Sequence, residues 1–86
     1  MRITYSKKFS KQLKKSPKKI QKVFLERLEL FIADPSNPLL RNHALSGNFI
    51  GRYSINLSGD WRLVYRKDGD EEITLLAIGT HSQLYK

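Results

Sequence analysis

The sequence contains no cysteine, and that absence removes disulfide staples, thiolate nucleophiles and Cys-based zinc sites together. Nothing in it approaches the ~20 consecutive apolar residues that a membrane-spanning helix needs. The opening Met1-Arg2-Ile3-Thr4-Tyr5 lacks the apolar stretch of a secretory signal, so a cytoplasmic location is expected. Only two histidines are present, and no carboxylate cluster accompanies them, which argues against a metal site and leaves no cofactor implied. Acid is missing altogether from residues 1–22, which hold Arg2 and eight lysines: Lys7, Lys8, Lys11, Lys14, Lys15, Lys18, Lys19 and Lys22.

What is present is basic and compact. The chain of 86 residues carries 16 Lys+Arg against 8 Asp+Glu, a formal charge of +8. That length allows one domain, residues 1–86, burying about 60–65% of the surface its unfolded chain exposes. A one-signed field of this kind attracts phosphate backbones or acidic protein segments. Solubility alone would not require a single sign.

Residues 2–5 alternate as a short strand. Ser6 is placed to cap a first helix whose apolar stripe is Phe9 and Leu13. Ser16-Pro17 then offers an N-cap and an N1 proline for a second helix. Ile20, Val23, Phe24, Leu28, Phe31 and Ile32 recur along it at helical spacing, and it stops at Asp34-Pro35, since the residue before proline is pushed out of the helical region. Residues 34–49 form an irregular connection. Strands over 52–57, 61–66 and 72–78 follow, the first two alternating oily and polar positions.

Parity sets their register. A two-residue Ser58-Gly59 turn would pair Ile55 with Arg62 and bury the arginine. A three-residue loop, Ser58-Gly59-Asp60, pairs Leu57 with Trp61 and collects Arg52, Asn56, Arg62 and Arg66 into a cationic shelf on the opposite face. Asp68-Gly69 is a two-residue hairpin signal, and in that register Ile73, Leu75, Ala77 and, by extension, His81 share the shelf's face. The last strand is apolar on both sides, which suits an interior position. The expected fold is α+β, in the order β-α-α-β-β-β, with two helices on one face of a mainly antiparallel sheet.

The shelf and its surroundings hold Arg52, Arg62, Arg66, Asp60, His43, His81 and Tyr85. These residue types suffice to cut RNA without a metal. A base removes the 2′-OH proton, cations hold the phosphorane, and an acid protonates the leaving 5′-oxygen. Each also has a structural reading. His43 can fix its loop by hydrogen bonds, Asp60 can serve its turn, His81 can be an ordinary surface histidine, and Tyr85 can pack as readily as stack on a base. Trp61 is expected in the core. Arg62 is harder to set aside, because a charge at a strand centre calls for an acidic or phosphate partner.

Three elements then resemble a known family: His43-Ala44-Leu45-Ser46-Gly47, Asp60-Trp61-Arg62-Leu63-Val64-Tyr65 and Gly79-Thr80-His81-Ser82-Gln83-Leu84-Tyr85. In order and spacing they are similar to the RelE/ParE superfamily of type II toxins, in its YafQ-like branch. The resemblance spans essentially the whole chain, including the opening Tyr5-Ser6-Lys7-Lys8-Phe9. It implies a ribosome-dependent mRNA endonuclease neutralised by a cognate antitoxin, an acidic or partly disordered protein segment that folds on the toxin. By position it implies that His81 acts as catalytic acid or base, that His43 and Asp60 assist, and that Arg62 supports the phosphate. Arg52, Arg66, Asn56 and the terminal aromatic Tyr85 would contact RNA. The lysines of the helical region (Lys11, Lys14, Lys15, Lys18) would lie against ribosomal RNA. Either Asp60 or His43 can be the base, and the acid and base assignments can be exchanged. The chain departs from the branch at Asn56, which stands where a further histidine is expected and cannot exchange protons. Two other readings remain: a toxin of the same fold without nuclease chemistry, acting on a target such as DNA gyrase, and a plain nucleic-acid-binding module.

Overall fold

The structure, a computed structural model, describes residues 1–85. Its elements are β1 (Arg2–Tyr5), α1 (Lys7–Lys15), α2 (Lys18–Ala33), β2 (His43–Ala44), β3 (Arg52–Ser58), β4 (Trp61–Gly69), β5 (Glu72–Thr80) and α3 (His81–Leu84), with 3-10 turns at Pro38–Leu40 and Gly47–Phe49. The strands form one sheet in the order β1-β5-β4-β3-β2. Only the β1–β5 pair is parallel. The α+β layer arrangement expected from the sequence is the one observed, and β5 lies inside the sheet.

The helical side supplies Phe9, Ile20, Phe24, Phe31 and Leu40 to the core; the sheet supplies Ile55, Leu57, Leu63, Tyr65, Ile73, Leu75 and Ile78. Ring contacts join the two helices, with Phe9 and Phe24 centroids 5.3 Å apart, and tie the helical layer to the sheet, with Phe31 and Tyr65 5.2 Å apart. Ser6 caps α1, its Oγ accepting from Phe9 N at 3.0 Å. Ile32, expected in the α2 stripe, is 48% exposed. At 100° per residue it is turned away from Phe31, past the edge of the face that the sheet covers.

Ser16 does not cap α2. Its Oγ donates to Gln12 O at 2.8 Å and its N–H to Leu13 O at 3.1 Å, so it closes α1. Pro17 takes the N-cap position of α2, its carbonyl accepting from Ile20 and Gln21. Both helix ends compete for this short joint, and a serine hydroxyl can bond backward four residues as easily as forward.

β1 ends after four residues, leaving the rest of β5's edge unpaired by a strand. α1 covers it: Gln12 Oε1 accepts from Ile78 N at 2.9 Å, and Ser6 Oγ donates to Leu76 O at 3.3 Å. A side-chain amide thus replaces a ladder bond at an edge that would otherwise stay open.

Register on the shelf follows parity. Arg52 pairs with Arg66, Ser54 with Val64 and Asn56 with Arg62. An irregularity after Asn56 brings Ser58 opposite Trp61, so the turn is the two residues Gly59-Asp60 rather than three, and Gly59 adopts φ +56°. The Asp68-Gly69 turn is not formed. β4 and β5 stay paired through Gly69 and Glu72, and the chain reverses at Asp70-Glu71. Asp68 is occupied elsewhere, accepting from Arg66 Nε at 2.8 Å and from the Thr74 hydroxyl. Register shifts between Val64 and Tyr65, and between Lys67 and Gly69, then place Ile73 and Leu75 opposite Lys67 and Tyr65, on the core face. Of the positions expected on the shelf, Ala77 is there, opposite Val64.

Candidate active site

One end of the shelf is walled into a cavity of about 400 Å³ lined by His43, Leu45, Ser46, Phe49, Ser54, Arg62, His81 and Tyr85. Three segments far apart in sequence meet there. β2 brings His43, the centre of the sheet brings Ser54 and Arg62, and α3 with the residue after it brings His81 and Tyr85.

His43 reaches the cavity because β2 pairs with β3, setting His43 opposite Ser54. Its Nδ1 lies 2.7 Å from Arg41 O. A main-chain carbonyl only accepts, so Nδ1 carries the proton in the neutral ring and Nε2 keeps the lone pair. The loop-fixing bond expected of His43 therefore also selects the tautomer of a base.

Arg62 is half-buried, and its Nη1 donates to Asn56 Oδ1 at 2.5 Å, Gly59 O at 3.0 Å and Trp61 O at 3.2 Å. All three acceptors are neutral. The guanidinium is fixed in direction while its charge stays available to an anion. Asn56 spends its side-chain oxygen on orienting this arginine.

His81 opens α3. Thr80 caps that helix, its Oγ1 accepting from Gln83 N at 3.3 Å while Gln83 Oε1 accepts from Thr80 N at 2.8 Å. Gly79 leaves the room this box requires, since a Cβ there would stand 2.9 Å from Gln83 Oε1. The Gly-Thr-His-x-Gln run is thus a device for holding one imidazole. His81 N also donates to Asp60 O at 2.8 Å. The Tyr85 ring packs against His81 at 4.8 Å and, edge-on, against Phe49 at 5.4 Å.

The other sequence-nominated residues lie around the cavity rather than in its lining. Asp60 is exposed in the β3–β4 turn and supports His81 through its main-chain oxygen. Arg52 stands over Phe49, 6.0 Å from the ring centroid, and lines a neighbouring groove of about 300 Å³ with Lys8 and Gln12. Arg66 is at the far end of the shelf in an ion pair with Asp68. The Thr74 hydroxyl, with Arg66 beside it, holds the Asp68 carboxyl below the usual carboxylate range. Lys11, Lys14 and Lys15 on α1 and Lys18 at the start of α2 are exposed and do not line the cavity. Trp61 is half-buried against the core.

Sequence reasoning nominated four of the lining residues and not the other four: Leu45 and Ser46, which it quoted only within a motif, and Ser54 and Phe49. Ser54 was accessible to it, because the alternation that places Arg52 and Asn56 on the shelf places Ser54 between them. Phe49 was not, because a 3-10 turn carries no periodic pattern. Among the described residues no group of three or more His, Asp or Glu is gathered in a way that could hold a metal ion. The cavity offers two imidazoles and an oriented guanidinium: a proton acceptor, a proton donor and an anion clamp.

The fold has solved counterparts. The crystal structure of YafQ from E. coli strain BL21(DE3) is 25% identical, covers 100% of both chains and superposes with a TM-score of 0.84. A chain of the E. coli DinJ-YafQ complex is 26% identical over 100% of both chains, with a TM-score of 0.75. A chain of the YoeB-YefM toxin-antitoxin complex from Staphylococcus aureus is 26% identical over 94% of this chain and 97% of that one, with a TM-score of 0.75. No curated protein matches this chain. The family model described as "Bacterial toxin of type II toxin-antitoxin system, YafQ" matches residues 1–86. With its whole length matched and the fold shared, this chain belongs to the YafQ family of toxins of type II toxin-antitoxin systems.

Proposed function

We propose that this toxin is an endoribonuclease that cuts mRNA held on the ribosome. The observation that carries this reading is the convergence of His43, Arg62 and His81 on one cavity, where the contact of His43 Nδ1 with Arg41 O turns Nε2 of the neutral ring to the role of acceptor. His43 Nε2 takes the proton from the 2′-OH beside the scissile phosphate. The 2′-oxygen attacks phosphorus, Arg62 neutralises the phosphorane, and His81 in its protonated form gives a proton to the departing 5′-oxygen. The products are a 2′,3′-cyclic phosphate and a 5′-hydroxyl, with one proton moved from each side and none consumed. Asp60, outside the cavity lining, supports His81 rather than serving as the base.

The ribosome supplies what a shallow cavity lacks. One short cavity on a sheet cannot by itself bend a flexible strand into line for attack, so naked RNA is cut poorly. The lysines of α1 and the start of α2 lie against ribosomal phosphates, and a cognate antitoxin neutralises the toxin in the cytoplasm. In the DinJ-YafQ and YoeB-YefM structures the toxin is in complex with its antitoxin, which supports that partner here.

The test is primer extension on a defined mRNA in a reconstituted translation system, comparing wild type with His81→Ala. Cuts at defined codon positions that need ribosomes and disappear in the variant are the expected result. Intact mRNA with wild-type protein would redirect attention to gyrase and other targets. Equal cutting by both proteins would remove His81 from the chemistry.

A further inference from the structure

Ser54 has no part in the steps above, yet its hydroxyl is the least expected polar group in the molecule. The residue is 1% exposed, and its Oγ has no hydrogen-bond partner among the described residues. The other buried polar side chains are bonded: Ser16 Oγ to Gln12 O, and Thr74 Oγ1 to Asp68. A buried hydroxyl left unpaired opposes folding, and native structures seldom keep one that serves nothing.

Its place is defined by the sheet. Ser54 lies opposite His43 in the β2–β3 ladder and opposite Val64 on β4, and it lines the same cavity as Arg62, His81 and Tyr85. Directly opposed residues in such a ladder keep their Cβ atoms about 4.5–5.5 Å apart, so Ser54, buried where it lines the cavity, is the floor beside His43. A guanidinium held by neutral acceptors and an O–H without an acceptor, facing one cavity, are a donor set that lacks only an oxyanion. The exposed His43 and the half-buried Tyr85 are the walls an entering phosphate oxygen would part to reach that floor.

We propose that Ser54 is a substrate-contacting residue whose Oγ donates a hydrogen bond to a non-bridging oxygen of the phosphodiester seated on Arg62. The assignment rests on the endoribonuclease reading for the identity of that phosphodiester. It makes the cavity a two-sided phosphate seat, charged on the β4 side and neutral on the β3 side. The fold tolerates the unpaired hydroxyl because the substrate satisfies it.

The experiment compares wild type with Ser54→Ala in three ways: thermal unfolding, affinity of the purified protein for a short RNA blocked by a single 2′-deoxy nucleotide at the cut site, and cleavage on programmed ribosomes of RNA carrying sulfur at either non-bridging position. The variant should melt at the wild-type temperature or above. It should bind the blocked RNA about 10- to 100-fold more weakly and cut more slowly by a similar factor, as expected for losing a hydrogen bond to a charged group. Sulfur at one of the two positions should slow the wild type, and Ser54→Ala should lose that sensitivity. A lower melting temperature for the variant would show the hydroxyl already satisfied within the fold, by an ordered water for example, and would overturn the proposal. Equal affinity of the two proteins for the blocked RNA would overturn it as well. If wild type cuts no RNA while the binding difference persists, the phosphate seat stands and the ribonuclease reading falls.

Discussion

Gly79→Ala tests the geometry that holds His81. An alanine Cβ would stand 2.9 Å from Gln83 Oε1 and 3.4 Å from both Gln83 Cβ and Leu84 Cδ2. The first distance is too short, so the Gln83 side chain must leave. With it goes the 2.8 Å bond that Oε1 accepts from Thr80 N, half of the box that caps α3. Losing a cap costs about 0.5–2 kcal/mol, a large amount for a helix of a single turn. Felt by the whole domain, 1 kcal/mol would lower the melting temperature by about 4–8 °C. Because α3 lies at the chain's end and can loosen locally, the shift should be smaller than that, while cleavage falls about 10- to 100-fold as His81 loses its position. A double-mutant cycle isolates the cause. Gln83→Ala gives up the cap but also removes the obstructing Oε1, so adding Gly79→Ala to it should cost almost nothing further. An equal penalty for Gly79→Ala in both backgrounds, measured by single-turnover cleavage and thermal melts, would refute the steric argument.

Three further outcomes are expected. Asn56→Ala removes the nearest acceptor of Arg62 and should lower the cleavage rate about tenfold with little change in melting temperature, because it disorients a charge without opening the core; full activity would deny Asn56 its positioning role. The Asp68 carboxyl is held below its usual range chiefly by the Thr74 hydroxyl and then by Arg66, so its contribution to stability is present above the unfolded pKa and is lost as pH falls through the folded one. Asp68→Asn should accordingly flatten the acid limb of a plot of urea midpoint against pH, and an unchanged slope would count against that account. Burial pushes the Tyr65 hydroxyl up, so its contribution is complete below the unfolded value of about 10 and is lost as pH rises through the folded one. Tyr65→Phe should abolish that alkaline decline, and at neutral pH it should cost about 1 kcal/mol by leaving Asn42 Oδ1 without its donor at 2.8 Å, read from the same urea titrations.

Much of the fold was legible because its signals are local. The apolar spacing of Ile20, Phe24 and Phe31 is a property of helical geometry, and those residues are the buried face of α2. Strand alternation is equally local, so parity alone placed Arg52, Asn56, Arg62 and Arg66 on one face. Expectations failed where a side chain had two possible partners. Asp68 beside Gly69 has good turn chemistry, but Arg66 and Thr74 engage its carboxylate, and the chain turns two residues later. Ser16 could cap forward or bond backward, and the latter is observed. The strand His43–Ala44 is too short to show any period.

The sequence by itself determined the chemistry on offer: no thiol, two imidazoles, a basic N-terminal third and a row of cations along one strand face. It also carried the ordered motifs that place the chain among the YafQ toxins. Only the tertiary structure decided which of those groups lie together. It left Asp60 outside the cavity, tied Arg66 to Asp68, and brought Ser54 and Phe49 in beside His43, Arg62 and His81. The reason is physical. Side-chain direction along a strand or helix follows from the neighbouring peptide units, whereas a cavity forms where β2 pairs with β3 and α3 folds back on the sheet, contacts between segments that no local pattern encodes.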